Sequence, residues 1–462
     1  MKTKIVTACL LVVLVFDSCT PASPKEVVLP TNTPAPPTLT PTPEPAPETT
    51  IRLGEYELLS PEDMRSDLDE LFHQIETVHP NPYTKRSKAD VDSDRQKIYA
   101  DLDQPMPIIE FLIKVAPLVA SLGDKHTQIF FPEKVFPETA ESERFIPLEV
   151  TFDGQQGFIT GNYSGNQDIP LGAEVLSINS TAISNIRKDV EPYEPDFFPY
   201  RLWLLFGSVP EYHVEILLPG ETAAVILDIV GVDFATIRQN METSEPPDPV
   251  AYTKVPDQLI GLLDINTFTG IGPLLKKAFV QIQEDGVEHL IIDVRTNPGG
   301  SDIGPTMDYL TDQPYRICSR LYRAPFKGYG SGEPRELECV LLQPFDAPER
   351  FTGKLYLLIG PDSFSAPIIL ANILQDYGLA TLIGEETPDT ASFCASAVDS
   401  YLPRTKLPYR ISVECYVRPS GVSDDNPVVP DIFVKTTIED QIAGRDPVLE
   451  YTLELIRSGQ TP

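Results

Sequence analysis

The chain has 462 residues, 41% of them hydrophobic, which is too long for one ordinary domain and apolar enough to bury more than one core. Its formal net charge is -32, with 68 acidic against 36 basic residues spread along the chain, so a phosphate backbone or an anionic membrane surface would be repelled. Nucleic-acid binding is therefore excluded as a function class.

Lys2 and Lys4 precede an apolar run over residues 5–16, too short to cross a bilayer but shaped like the core of a signal peptide. Cys19 follows in Phe16-Asp17-Ser18-Cys19, which resembles a bacterial lipobox. Residues 1–19 are thus expected to direct export and to leave the chain anchored through a lipid on Cys19 to a bacterial cell membrane, facing away from the cytoplasm; without lipidation it would be secreted. Residues 20–50 hold ten prolines, which lock φ and remove N–H donors, so this stretch is expected to be a disordered, extended linker.

Ser60-Pro61-Glu62-Asp63 has the form of a helix start, and Met64, Leu68, Leu71, Ile75 and Val78 recur at helical spacing, predicting a helical region over 51–135. Short alternating stretches then predict a β-rich module over 136–245, with strands near 148–152, 157–160, 173–178 and 213–218. The stretch from Ile169 to Asn179 resembles part of a PDZ domain, a module that captures peptide C-termini by adding a strand to a sheet edge. From about residue 246 strands alternate with helices, which predicts an α/β domain with a partly parallel sheet over 246–462, its site at the carboxyl ends of the strands.

Two sequences fall at such ends. The run Leu355-Tyr356-Leu357-Leu358-Ile359 leads through Gly360-Pro361-Asp362-Ser363-Phe364 to Ser365, after which Ala366-Pro367 opens a helix; this strand, turn, serine, helix order places Ser365 where a nucleophile would be served by the positive end of a helix. The other is Asn297-Pro298-Gly299-Gly300. Four cysteines remain beyond Cys9 and Cys19: Cys394 and Cys415 lie in two alternating stretches that could pair as a hairpin, and Cys318 and Cys339 flank a glycine-rich loop, so local disulfides are expected in an oxidising compartment.

The stretch from Ile291 to Gly300, together with Leu122-Gly123-Asp124-Lys125-His126-Thr127, Ser363-Phe364-Ser365-Ala366 with Gly384-Glu385-Glu386-Thr387, and Val429-Pro430-Asp431-Ile432, resembles peptidase family S41, the C-terminal-processing and tricorn-like serine proteases. The four motifs stand in family order across nearly everything after residue 55. The resemblance implies a catalytic domain of the ClpP/crotonase-like type over 246–462, with Ser365 as nucleophile. The lysine base of the processing branch would fall at Thr390, so the resemblance points to the histidine-dependent tricorn-like branch, with His126 as general base and adjacent Lys125 as a rival. Imidazole titrates near working pH and can take the serine proton and return it to the leaving amine.

The oxyanion hole implied by the family comes from the backbone of Gly299 or Gly300 and of Ala366. An acid orienting the imidazole is expected at Asp424, with Asp425 as the alternative. The expected function is hydrolysis of extended polypeptides through an acyl-enzyme on Ser365, with no cofactor and no metal site: His-Glu-x-x-His and close Cys-x-x-Cys spacings are missing from the sequence. His73, His79, His213 and His289 are read as structural. The competing reading is a non-catalytic ligand- or peptide-binding protein on the same scaffold.

Overall fold

The computed structural model describes residues 58–131, 143–193, 197–241, 246–322 and 339–459. The expected signal segment, Cys19 and the proline-rich linker lie outside the described residues. Three helices come first: α1 (Pro61–Val78), α2 (Lys88–Asp101) and α3 (Ile108–Ala120). Ser60 caps α1 by accepting the Asp63 N–H at 3.1 Å, Pro61 needs no donor in the first turn, and Met64, Leu68, Leu71, Phe72 and Ile75 turn one apolar face inward.

A five-strand antiparallel meander follows: β1 (Leu148–Asp153), β2 (Gln156–Asn162), β3 (Glu174–Ile178), β4 (Glu211–Leu217) and β5 (Ala224–Val230). Helices α4 (Ile183–Val190) and α5 (Phe198–Phe206) lie between β3 and β4. Sequence periodicity does not announce α5, because it is apolar around most of its circumference: it sits buried, and a helix without a polar face reads like a strand.

The remaining chain builds a six-stranded sheet. Its members are β6 (Val250–Lys254), β7 (Ile260–Ile265), β8 (His289–Asp293), β10 (Lys354–Ile359), β11 (Ala380–Gly384) and β14 (Ile432–Phe433), adjacent in that order. Only the β6–β7 pair is antiparallel. Helices α6 (Gly272–Glu284) and α7 (Ala366–Asp376) cover one face and α8 (Pro447–Ser458) the other. β10 shows why its sequence is a continuous apolar run: Leu355, Leu357 and Ile359 face the first layer, while Tyr356 and Leu358 face the second. A second, antiparallel sheet contains β9 (Tyr315–Tyr322), β12 (Phe393–Ala395) and β13 (Glu414–Val417). The molecule is thus a multidomain mixed α/β protein.

Among the contacts that join the helical region to the α/β domain, two bring distant sequence to the site. Buried Asp67 of α1 accepts the backbone N–H groups of Arg404 and Thr405, the latter at 2.6 Å. Gln128 and Ile129 pair with Arg410 and Tyr409, which anchors the loop carrying His126 beside the nucleophile turn.

Candidate active site

β10 ends at Ile359, and residues 360–365 turn sharply before α7. Ser363 is fully buried; its hydroxyl donates to the Val294 carbonyl at 2.9 Å and accepts the Gly360 N–H at 3.0 Å, tying the exits of β8 and β10 together. Asn297 is the second tie. Its Nδ2 donates to the Ile265 carbonyl, its Oδ1 accepts the Gly299 N–H at 2.8 Å, and its own carbonyl accepts the Phe364 N–H at 3.1 Å.

Ser365 follows at φ 64 and ψ -109, a left-handed conformation that favours glycine, and its side chain makes no capping bond to the helix. The hydroxyl therefore stands at the helix start without serving it. Gly299 lies directly opposite: a Cβ there would sit 2.8 Å from the Ser365 Cβ, and its φ of 120 is open to glycine alone.

The expected oxyanion donors separate on this geometry. The Gly299 N–H is committed to Asn297, so the expectation for Gly299 as a donor is corrected. The bridge between Phe268 and Gly300 uses the Phe268 N–H, the Gly299 carbonyl and the Ser301 N–H, leaving the Gly300 N–H outside the ladder. Ala366 is the first residue of α7, where an N–H has no intrahelical acceptor.

His126 is 9% exposed and its ring stacks on Phe364, the residue before Ser365, with centroids 4.3 Å apart and planes 18° apart. Phe393 of β12 stacks farther out at 5.8 Å. Lys125 points elsewhere: its side-chain nitrogen donates to the Pro388 carbonyl at 2.8 Å. Thr390, at the place of the processing-branch lysine, donates its hydroxyl to the Ser392 carbonyl.

Asp424 does not orient His126. Its Oδ1 accepts both the backbone and the side-chain N–H of Asn426 at 3.0 Å, and its other oxygen lies 3.7 Å from Arg418. The short side chain closes a local turn instead of reaching the imidazole. Asp425 is no substitute, being exposed and 3.6 Å from Lys85. The carboxylate beside His126 is Asp124, which accepts the His126 backbone N–H at 3.0 Å and bonds His79. The sequence offers only one signal for it, the Asp-x-His spacing inside 122–127, and none for Phe364 and Phe393. Cys318 pairs with Cys339 and Cys394 with Cys415; the second bridge links facing residues of β12 and β13, next to Phe393.

The model of Peptidase family S41 matches residues 259–434. Among curated relatives, a tail-specific protease of Haemophilus influenzae is 24% identical over 155 residues, covering 33% of this chain and 20% of its own length. A carboxy-terminal-processing protease of Bartonella bacilliformis is 28% identical over 195 residues, covering 40% and 39%. The chain thus spans well under half the length of these relatives. Among solved structures, mature CPAF superposes with a TM-score of 0.61 at 16% identity, covering 87% of this chain and 99% of that one, a likeness of fold. The family resemblance read from the motifs is supported over 259–434; the matches do not separate the histidine-dependent branch from the lysine-dependent one.

Proposed function

We propose, on the premise that residues 259–434 match Peptidase family S41, that this chain is a serine endopeptidase acting on extended polypeptides through an acyl-enzyme on Ser365. The observation that carries the reading is the strained, uncapped Ser365 at a helix start, with glycine backbone facing it and the His126 ring stacked on its neighbour Phe364. In the proposed reaction His126 takes the hydroxyl proton as Ser365 Oγ attacks the peptide carbonyl. The oxyanion of the tetrahedral intermediate is received by the N–H groups of Gly300 and Ala366, and the first donates in a region where glycine lets the substrate approach closely. His126 then returns the proton to the departing amine. Water attacks the acyl-enzyme by the same route in reverse order.

Two further parts belong to this proposal. The β1–β5 module, PDZ-like in its 169–179 stretch, would hold the polypeptide by strand addition, and the chain would work outside the cytoplasm, tethered by a lipid on Cys19. Hydrolysis of an unfolded polypeptide by the purified chain tests the chemistry. The wild type should cleave, Ser365→Ala should be inactive, and His126→Ala should lose at least about a hundredfold in kcat. Cleavage that survives Ser365→Ala would refute the reading.

A further inference from the structure

The loop that carries His126 is organised by a carboxylate to which the proposed chemistry assigns no step. Asp124 Oδ2 accepts from His79 Nε2 at 2.9 Å and from the Thr127 hydroxyl at 2.5 Å, while Oδ1 accepts the His126 backbone N–H at 3.0 Å. The tautomer of His79 follows from its other nitrogen: Nδ1 accepts the Asn81 N–H at 3.0 Å, so the ring proton lies on Nε2, facing Asp124. The Thr127 hydroxyl, while donating to Asp124, accepts the Ser412 N–H at 3.1 Å. One chain of hydrogen bonds therefore runs from the end of α1 through the His126 loop to the segment just before β13.

This network is nearly dry, with side-chain exposures of 2% for His79 and 10% for Asp124. Burial alone would push the Asp124 carboxyl up. The His79 hydrogen bond, the charge interaction with His126 and the Thr127 hydroxyl outweigh it and bring the group down to about 2, so it carries a charge throughout the working range.

We infer that Asp124 is a positioning residue for the reaction proposed above: it fixes the backbone of His126 against Phe364 and holds a buried negative charge that favours the imidazolium formed when His126 takes the Ser365 proton. The inference rests on the serine-peptidase reading for its kinetic consequence but not for its electrostatic one. The groups facing Asp124 are His79 at the end of α1, His126 and Thr127 on its own loop, and Asp389 from the 385–392 loop. Asp389 is held up at about 6, chiefly by burial, against the pull of Lys125. It thus adds a second negative charge above that pH, which an Asp389→Asn background removes.

The test is a titration of the His126 ring by NMR in protein carrying labelled histidine, assigned with His126→Gln, alongside kcat and KM as functions of pH. In Asp124→Asn, with or without Asp389→Asn, the His126 midpoint should fall by about one pH unit as the opposite charge is lost. The acid limb of kcat should move down with it, and kcat should fall at least about tenfold while KM stays near the wild-type value. Asp124→Glu keeps the charge and alters the reach, so its His126 midpoint should stay near wild type while kcat falls; it decides the matter if Asp124→Asn does not fold. An unchanged midpoint in folded Asp124→Asn, or a lowered one in Asp124→Glu, overturns the inference. Loss of the peptidase reading looks different: no Ser365-dependent cleavage by wild type, with the midpoint shift intact.

Discussion

Replacing Ser365 with glycine should stabilise the protein relative to replacing it with alanine, although both variants lack the nucleophile. Ser365 is held at φ 64 and ψ -109 by buried ties on either side, Ser363 to Val294 and Gly360, and Asn297 to Phe364. A residue with a Cβ in such a region costs about 1–3 kcal/mol, and alanine keeps that cost. Glycine removes it while adding about 0.5–1 kcal/mol of unfolded-chain entropy. At mid-range, about 2 less about 0.75, the glycine variant should therefore be more stable by about 1.25 kcal/mol, and at about 2–4 °C per kcal/mol for a domain of this size the gap in Tm is about 2.5–5 °C. Calorimetry on the two inactive variants reads it directly without interference from self-cleavage. A glycine variant that melts no higher than the alanine variant would show that the turn is not strained, and the argument for a pre-formed nucleophile turn would fall with it.

Other perturbations follow from the same geometry. Gly299→Ala places a Cβ 2.8 Å from the Ser365 Cβ at a φ of 120, so it should abolish turnover and lower Tm, whereas full activity would mean that the two backbones are not in register. Asp264 is pushed up to about 6, first by burial and then by Asp293 beside it in the β7–β8 register, against the pull of Arg295. Its folded value lies above the ordinary 3.9, so the fold favours the protonated form and loses stability as pH rises from about 4 to about 6. Asp264→Asn should accordingly raise Tm at pH 7.5 and leave it nearly unchanged at pH 4; an equal gain at both would refute the charge argument. Cys394→Ser with Cys415→Ser opens a loop closed over a separation of 21 residues, which should cost about 2–4 kcal/mol in chemical denaturation and, through Phe393, reduce kcat more than KM.

What the sequence made legible was what local rules and short motifs encode. The cap and apolar stripe of α1, the two-faced burial of β10 and the turn into α7 all follow from neighbouring residues. The cysteine pairs were legible as candidates, although the Cys394–Cys415 pair is not a simple hairpin: strands Val398–Tyr401 and Pro408–Ile411 form another hairpin inside its connection. Less legible were relations set by tertiary packing. Counting along the chain chose Asp424 as the acid for His126, whereas packing gives Asp424 to Asn426 and Arg418 and puts Asp124 beneath the histidine loop. The Pro-Gly-Gly turn offered two glycines as donors, and only the Asn297 side chain, by occupying the Gly299 N–H, distinguishes them.

The central claim, that Ser365 is an activated nucleophile, is tested most directly by reacting the full chain with a fluorophosphonate and locating the adduct by peptide mapping. Labelling at Ser365 in the wild type, much slower in His126→Ala and lacking in Ser365→Ala, is the expected result. A folded wild type that takes up no more label than Ser365→Ala would contradict it.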